Sequence, residues 1–371
     1  MERKKHLIFC NSFSKGGGER IAVNLANGFY KSNEDVILFS IENNQTYKSE
    51  DGIKTIRNPF ATNMPVIGKL INNFSALLYL IYIVKKHNID VVISHLFRAN
   101  YINIVASFFS KHTSMVVTHG SILKYLNGKI SSKINLILIK KLYPYATIKV
   151  FLTERMKEDY IDYVGNYDNY VIANCYDLNE IKNLSKVRIN DCPFEPKEYF
   201  IFVGRFHSVK RINDILTAFS NNNLNVLLLG NGDLLEEFKN KFGSNKRICF
   251  LGEKKNPFPY IKNAKATLLA SESEGFPNVL IESLNLGVPI ISSDCRTGPR
   301  EILKINAKLS RNKGDYIIND IGAIFNVGDT LGLENILINF NTFTFNFDCM
   351  ESKVIEYDIK QISKSYLGLS K

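Results

Sequence analysis

The stretch ATLLASESEGFPNVLIESLNLGVPIISSD, residues 266–294, decides the fold. It opens with a short apolar run, ATLLA, and closes with another, VPIIS, and between them apolar residues recur at helical spacing. A short continuous apolar run is typical of a strand buried on both faces, and strand–helix–strand order is typical of a parallel sheet. The stretch therefore predicts a βαβ unit.

The same alternation runs through the rest of the chain. Strands are predicted at 6–10, 36–39, 91–94, 115–118, 148–152, 170–173, 199–203, 225–229, 247–251, 266–270 and 288–292. Helices are predicted at 19–30, 67–86, 99–110, 122–142, 154–163, 211–219, 234–242, 277–286 and 354–367. The pattern predicts an α/β protein with two Rossmann-like, doubly wound parallel-sheet domains.

The domains are predicted at 1–174 and 175–353, and the polar, turn-rich segment 174–197 is interpreted as the connection between them. Because ligands bind outside the carboxyl ends of parallel strands, we expect a ligand in a central cleft between the two sheets.

Composition excludes several classes of protein. The 371 residues are 45% hydrophobic and 22% charged, which is ordinary for globular proteins and unlike disordered, collagenous or coiled-coil chains. Charge is uneven: residues 1–150 hold 20 basic and 8 acidic side chains, and the remaining 221 hold 27 and 28. A basic first half indicates an anionic surface or polymer as a partner.

Location is predicted from cysteines and apolar runs. Six widely spaced cysteines without a C-x-x-C pair are typical of a reducing compartment, not of disulfides or zinc. The N-terminal apolar run is only about five residues long, which predicts a strand and not a signal peptide. The apolar stretch 74–84 is shorter than the ~20 residues that span a bilayer. We therefore expect a cytoplasmic protein, with peripheral attachment to the inner face of the cell membrane.

The stretch 271–301 carries the most chemical information. Its strand-to-helix turn consists of Gly275, Phe276, Pro277, Asn278 and Val279. Pro277 suits the first helical position, and the amides of 276–280 would then form an open helix N-terminus suited to phosphate. Glu274 and Glu282, spaced E-x7-E, could accept hydrogen bonds from ligand hydroxyls. The alternative is a capping glutamate and a solvated one.

A second motif, VGRFHSVKR at 203–211, follows another predicted strand. Gly204 permits a close backbone approach, and Arg205 and Lys210 could neutralise a diphosphate. The alternative is a basic surface loop, but two cations and a helix N-terminus at one sheet edge favour a binding site.

Other motifs narrow the choice of ligand. LLLGNGDL at 227–234 lacks the third glycine of a dinucleotide fingerprint, because position 235 is Leu235, and the chain has no P-loop. The triple glycine at 16–18, which includes Gly17, would let a ligand reach a helix start. His95 and His119 each end a predicted strand, and His119 is the better candidate for contact with a sugar or phosphate. The chain has no D-x-D and no H-x-x-x-H motif, so we expect no metal.

Together these motifs resemble a known family. GGGER at 16–20, GRFHSVKR at 204–211, LLGNGDL at 228–234 and the E-x7-E stretch at 271–294 are similar to retaining glycosyltransferases of family four, which have the GT-B fold. TGPREIL at 297–303 is similar to members that use UDP-linked sugars. The hinge sequence at 174–177 departs from the common P-N-G-x-D. The resemblance implies that the C-terminal helix, about 354–371, packs back onto the first domain.

The resemblance also implies residue roles. Arg205 and Lys210 would hold the donor diphosphate, Glu274 would bind sugar hydroxyls beside the 276–278 backbone, and Glu282 would bind the ribose. The loop from Glu253 to Asn256 would meet the nucleobase. Gly17 and His119 would approach the donor from the first domain. The implied catalytic residues are Glu274, His119, Arg205 and Lys210.

The implied reaction moves a hexose or N-acetylhexosamine from a nucleotide sugar, expected to be UDP-linked, to a saccharide or lipid-linked glycan in surface polysaccharide biosynthesis. Retention could come from double displacement or from same-face attack, and no carboxylate stands out as a covalent nucleophile. We expect no cofactor. A GT-B sugar-nucleotide epimerase and a basic nucleic-acid-binding protein are the alternatives, although no acid/base set and no nucleic-acid motif supports them.

The basic first domain has a predicted partner. Lys124, Lys129, Lys133, Lys140 and Lys141 flank the apolar helix predicted at 122–142. Such a surface can bind anionic lipid. The alternative is a solvated helix whose apolar side belongs to the core.

Overall fold

The computed structural model describes residues 3–14, 16–64, 67–122, 126, 130–166 and 168–370. The chain folds into two units. The first runs up to Tyr176 and resumes at Tyr357, and the second is Asp177–Glu356. The predicted boundaries, 174/175 and 353/354, lie two and three residues from these positions.

The first unit is built on a seven-stranded parallel sheet. Its strands are β1 (His6–Cys10), β2 (Val36–Ser40), β3 (Lys54–Arg57), β4 (Val91–His95), β5 (Thr113–Thr118), β6 (Ile148–Phe151) and β7 (Asn169–Val171). The strand order is β3-β2-β1-β4-β5-β6-β7. Every residue of β1, β2 and β4 is buried, which is why these strands are continuous apolar runs.

Helices cover both faces of this sheet. They are α1 (Gly17–Lys31), α2 (Ile67–His87), α3 (Phe97–Ser110), α4 (Ile130–Leu142) and α5 (Glu154–Val164). One core cluster joins Leu7 and Phe9 of β1 to Leu80 of α2 and Ile102 of α3. α1 packs on β1 and β2 but contributes no residue to that cluster, so it lies on the opposite face. This two-sided cover is what right-handed crossovers in both directions along the sheet produce.

The second unit has a seven-stranded sheet of its own. Its strands are β8 (Tyr199–Val203), β9 (Asn225–Leu229), β10 (Ile248–Gly252), β11 (Thr267–Leu269), β12 (Ile290–Ser293), β13 (Tyr316–Asn319) and β14 (Gly322–Phe325). The order is β10-β9-β8-β11-β12-β14-β13, and only the edge pair β13–β14 is antiparallel. Its helices are α6 (Leu178–Leu184), α7 (Ile212–Ser220), α8 (Leu235–Phe242), α9 (Phe258–Lys262), α10 (Asn278–Asn285), α11 (Pro299–Leu303), α12 (Thr330–Asn339) and α13 (Phe347–Ile355).

The last helix, α14 (Ile359–Leu369), belongs to the first unit. The chain enters it beside its earlier exit: Tyr176 N donates to Tyr357 O at 3.0 Å, and Ile359 N donates to Tyr176 O at 2.9 Å. α14 packs on α1 at Gly28, where an added Cβ would lie 2.1 Å from Ser363 Oγ. Gly28 therefore sets the close approach of the two helices.

The sequence did not predict β13, β14, α9, α11 or α12, and three further differences concern β3, α6 and the C-terminal helices. The segment 174–197 was predicted as a connection, but α6 forms inside it because the Asp177 side chain caps its N-terminus and Leu178 and Ile181 are buried. The single helix predicted at 354–367 is two helices, since Asp358 caps a new start. The edge strand β3 was missed because its burial is partial and its residues are largely polar.

Candidate functional site

Two loops meet at the carboxyl edge of the second unit's sheet. Loop 204–211 follows β8, and loop 270–277 follows β11, the strand paired with β8. A backbone hydrogen bond joins them, with Glu272 N donating to Val209 O at 2.8 Å. The two motifs with the most informative chemistry are therefore neighbours in the fold.

An ion pair connects the charged side chains of these loops. Lys210 Nζ lies 2.6 Å from Glu274 Oε1, and the two side chains are 22% and 11% exposed. A pair so withdrawn from water is screened much less than a surface pair. The predicted alternative of a helix-capping glutamate does not describe Glu274, because its carboxylate engages the lysine.

Arg205 lies in the same loop but has a different environment. Its side chain is exposed, and among the described residues it forms no ion pair. Arg211, at the end of the loop, has a left-handed backbone (φ 46°) and pairs with Asp214 at 2.7 Å. The loop thus presents two paired cations, Lys210 and Arg211, and one cation in solvent, Arg205.

Glycines shape the first loop. Gly204 N donates to Leu229 O at 3.0 Å, and Phe206 N donates to Asn231 O at 2.9 Å. A Cβ on Gly230 would lie 1.8 Å from Gly204 O, and one on Gly232 would lie 2.4 Å from Phe206 O. The G-N-G sequence after β9 therefore serves to pack against the loop that carries Lys210.

The start of α10 differs from its prediction. Pro277 was expected at the first helical position, but it is the N-cap residue (ψ 96°), and the helix begins at Asn278. Phe276 is buried, and the loop after β12 closes on this turn, because a Cβ on Gly298 would lie 2.5 Å from Pro277 Cδ. Glu282 is buried at 4% exposure, so the alternative of a solvated glutamate is wrong.

The loop after β12 contacts the backbone of Glu274. Thr297 Oγ1 donates to Glu274 O. Arg300 makes two hydrogen bonds to the carboxylate of Asp294, at 3.0 Å and 2.5 Å, and donates to Ala307 O at 2.6 Å. The sequence indicated 297–303 only through its resemblance to a known family, and the support that this segment gives to Glu274 was not predicted. The signal available was an acid and an arginine flanking a Gly-Pro turn.

Cys295 lies among the same groups. Burial raises the pKa of its thiol, and the Glu274 carboxylate raises it further. The thiol therefore stays protonated and is a packing group, not a nucleophile.

The loop after β10 contains Glu253 and Asn256. Glu253 is exposed. The Asn256 amide is engaged by the chain: Nδ2 donates to Leu184 O at 2.9 Å, and Oδ1 accepts from Phe258 N at 3.2 Å. Since β10 is two strands from β8, this loop lies about 10 Å from loop 204–211 along the same edge.

In the first unit, the predicted residues gather at the ends of β4 and β5. His119 follows β5, and its Nε2 lies 2.8 Å from Nδ1 of His95, the last residue of β4. Gly17 begins α1, and a Cβ on the adjacent Gly18 would lie 3.4 Å from the His119 ring. Burial lowers the pKa of His119 to about 4 and holds the pKa of His95 well below its usual value, so both rings are neutral.

The pairing of these histidines was not predicted, although neighbouring parallel strands that both end in histidine are a usable signal. One ring must donate to the other, which fixes their tautomers relative to each other. No group of three or more His, Cys, Asp or Glu side chains that could hold a metal ion occurs within the described residues.

Two glycosyltransferase family models match successive parts of the chain. The family model described as Glycosyltransferase Family 4 matches residues 15–180, and the one described as Glycosyl transferases group 1 matches residues 189–311. Both family models describe glycosyltransferases, and neither supports the alternatives of an epimerase or a nucleic-acid-binding protein.

Two relatives are similar over much of the chain. An uncharacterized glycosyltransferase of Methanocaldococcus jannaschii is 30% identical, over 63% of this chain and 62% of that protein. The N-acetylgalactosamine-N,N'-diacetylbacillosaminyl-diphospho-undecaprenol 4-alpha-N-acetylgalactosaminyltransferase of Campylobacter jejuni is 27% identical, over 80% of this chain and 82% of that protein.

Solved structures share the fold. Anabaena HepE in complex with UDP and glucose has a TM-score of 0.75 at 16% identity, over 99% of both chains. The predicted fold class, two Rossmann-like parallel-sheet domains of the GT-B type, is confirmed.

Proposed function

Because this chain is a GT-B glycosyltransferase of the surface-polysaccharide branch, we propose that it moves a hexose or N-acetylhexosamine from a UDP-linked sugar to a saccharide or lipid-linked glycan. Transfer retains the configuration at the anomeric carbon. The observation that carries this proposal is the 2.6 Å pair of Lys210 and Glu274 at the carboxyl edge of β8 and β11.

Lys210 and Arg205 are the proposed diphosphate ligands. Lys210 is held in place by Glu274, and Arg205 is exposed and able to move onto an incoming anion. Fixed cations stabilise the negative charge that builds on the leaving diphosphate, and in a site withdrawn from water such stabilisation is worth several kcal/mol, roughly 3 per donor.

Glu274 is proposed to accept a hydrogen bond from a sugar hydroxyl with its second carboxylate oxygen. Thr297 fixes its backbone, and Lys210 holds Oε1. The 276–278 backbone would lie beside the sugar, and Glu282 would bind the ribose. Because the Asn256 amide is already bonded within the chain, we propose that Glu253 and the backbone of 253–256 meet the nucleobase.

The first unit is proposed to contribute Gly17 and His119. A neutral His119 can exchange hydrogen bonds with a sugar hydroxyl, and its partner His95 fixes the tautomer. Gly17 leaves the start of α1 without a side chain.

We propose same-face substitution as the reaction. The bond from the anomeric carbon to the diphosphate oxygen breaks, and a bond to the acceptor oxygen forms on the same face. The acceptor proton moves to the departing diphosphate oxygen, so the protein supplies no covalent nucleophile. We also propose that the configuration at the anomeric carbon is retained and that the reaction requires no metal.

The test is titration calorimetry with UDP, GDP and ADP, followed by NMR of the anomeric configuration formed from a panel of UDP-sugars. We expect UDP to bind and its affinity to fall at least about tenfold in Lys210→Ala. Lys239→Ala, which removes an exposed lysine on α8, is the matched control and should bind like the wild type. Preference for another nucleotide, or equal affinity in Lys210→Ala, would contradict the donor assignment.

For location, we propose the cytoplasm, with peripheral attachment to the inner face of the membrane where lipid-linked acceptors are reached.

A further inference from the structure

The outer face of α2 is an exposed apolar stripe. We call Ile67, Leu70, Ile71, Phe74, Leu78 and Tyr82 the α2 stripe; their exposed fractions run from 42% to 69%. Residues 67, 71, 74, 78 and 82 are three or four apart, and Leu70 lies four before Phe74, which places all six along one side of the helix. Phe60 and Met64, in the segment before α2, are also largely exposed. A contiguous apolar surface of this kind marks an interaction site.

The opposite face of α2 belongs to the protein core. Ala76, Leu80 and Ile83 pack in the cluster with β1 and α3. Among the residues that the structure describes, α2 is the one helix long and apolar enough to cross a membrane, and 33% of its apolar 18-residue window is buried. It nevertheless connects β3 to β4, which belong to one sheet, so crossing would break that sheet. A helix with one face in the core and an apolar outer face can instead lie in the plane of a membrane surface.

The charge of α2 and its surroundings indicates which partner would cover the α2 stripe. α2 contains no acidic residue, and Lys85 and Lys86 are exposed at its C-terminal end. The first 150 residues carry the whole positive excess of the chain. Anionic lipid headgroups complement these lysines, and the acyl boundary accepts the apolar side chains.

We propose that the α2 stripe inserts into the interface of an anionic lipid bilayer and is the docking surface of the first unit. It is distinct from the lysine surface predicted at 122–142. Of that surface, Lys124 and Lys129 lie outside the described residues, and Lys133, Lys140 and Lys141 are exposed on α4. α3 packs against both α2 and α4, so the α4 lysines belong to the same helix layer as the stripe. The inference concerns the first unit alone and does not depend on the proposed donor site.

The experiment is sedimentation of the full chain with vesicles of equimolar phosphatidylglycerol and phosphatidylethanolamine. The variant Leu70→Ser/Phe74→Ser/Leu78→Ser removes apolar surface without changing charge. Its matched control, Leu331→Ser/Ile338→Ser/Ile355→Ser, changes apolar residues on α12 and α13 of the second unit that are 47–66% exposed, against 54–69% in the α2 variant. We expect the partition coefficient to fall by about tenfold or more in the α2 variant and to stay within about twofold in the control.

Three results would overturn the inference: wild-type protein that stays in the supernatant, an α2 variant that partitions like the wild type, or sedimentation equilibrium showing a dimer that the α2 variant abolishes. UDP titration of the same preparations separates this inference from the proposed function. Vesicle binding can fail while UDP still binds, and UDP binding can fail while the vesicles still bind.

Discussion

Breaking the Lys210–Glu274 pair should weaken both the fold and the reaction, and the size of each effect can be worked from the structure. At 2.6 Å and an effective dielectric constant near 20, the attraction is about 6 kcal/mol. Desolvation offsets much of this, so the net worth of the pair is smaller. Removing one partner leaves the other charge poorly solvated, because the side chains are 22% and 11% exposed. We expect each truncation to Ala to lower the free energy of unfolding by about 2–3 kcal/mol.

A double-mutant cycle isolates the interaction. Lys210→Ala, Glu274→Ala and the double variant would be unfolded in urea, and we expect a coupling energy of about 2 kcal/mol. The control cycle uses Lys239 and Glu236, which pair at 2.8 Å but are 40% and 76% exposed. Solvent screening should reduce their coupling to about 0.5 kcal/mol or less.

Turnover is measured on the same variants as UDP released from a panel of UDP-sugars. Both single variants should lose at least about tenfold, equal to about 1.4 kcal/mol of barrier, while the protein remains folded. Wild-type turnover in both variants would refute the site assignment. A coupling energy no larger than that of the exposed pair would refute the view that burial makes this pair strong.

Other predictions concern metal, packing and pH. Since the chain has no D-x-D motif, EDTA should leave turnover intact, and complete loss that Mg²⁺ reverses would contradict this. Gly230→Ala should lower the free energy of unfolding by more than about 2 kcal/mol, because its Cβ would meet Gly204 O, whereas Gly368→Ala, with nothing within 4 Å, should be neutral or stabilising. Burial lowers the pKa of His6, His112 and His119 from 6.5 to about 4. The unfolded chain then binds these protons first, so stability present above pH 6.5 should fall as pH drops toward 4. His112→Gln should remove up to about 3 kcal/mol of that fall in thermal unfolding, and an unchanged slope would be evidence against it.

Much of the fold could be predicted because strands buried on both faces appear in the sequence as short continuous apolar runs. His6–Cys10 is apolar on both faces, and its predicted and observed bounds agree. β3 could not be predicted in this way, since Lys54 and Arg57 are exposed and its identity comes from pairing with β2. α6 depends on a cap at Asp177 and on burial of two side chains, which local polarity conceals.

The candidate site was predictable in its parts but not in its connections. Lys210 and Glu274 each follow a predicted parallel strand, so the sequence predicts both at the carboxyl edge of one sheet. The structure brings them into contact there. Their direct bond depends on how loop 204–211 folds over the G-N-G turn, which is a tertiary contact. The engagement of Asn256 by Leu184 O is likewise set by α6, an element that the sequence reading lacked.

The return of α14 to the first unit has a consequence for biosynthesis. The first unit is discontinuous: its last helix is synthesised only after all of Asp177–Glu356. At roughly 5–20 residues per second, those residues take ~10–40 s to emerge from the ribosome. During that interval the surface of α1 around Gly28 has no helix to cover it. The second unit can therefore finish folding on the ribosome before the first unit is complete.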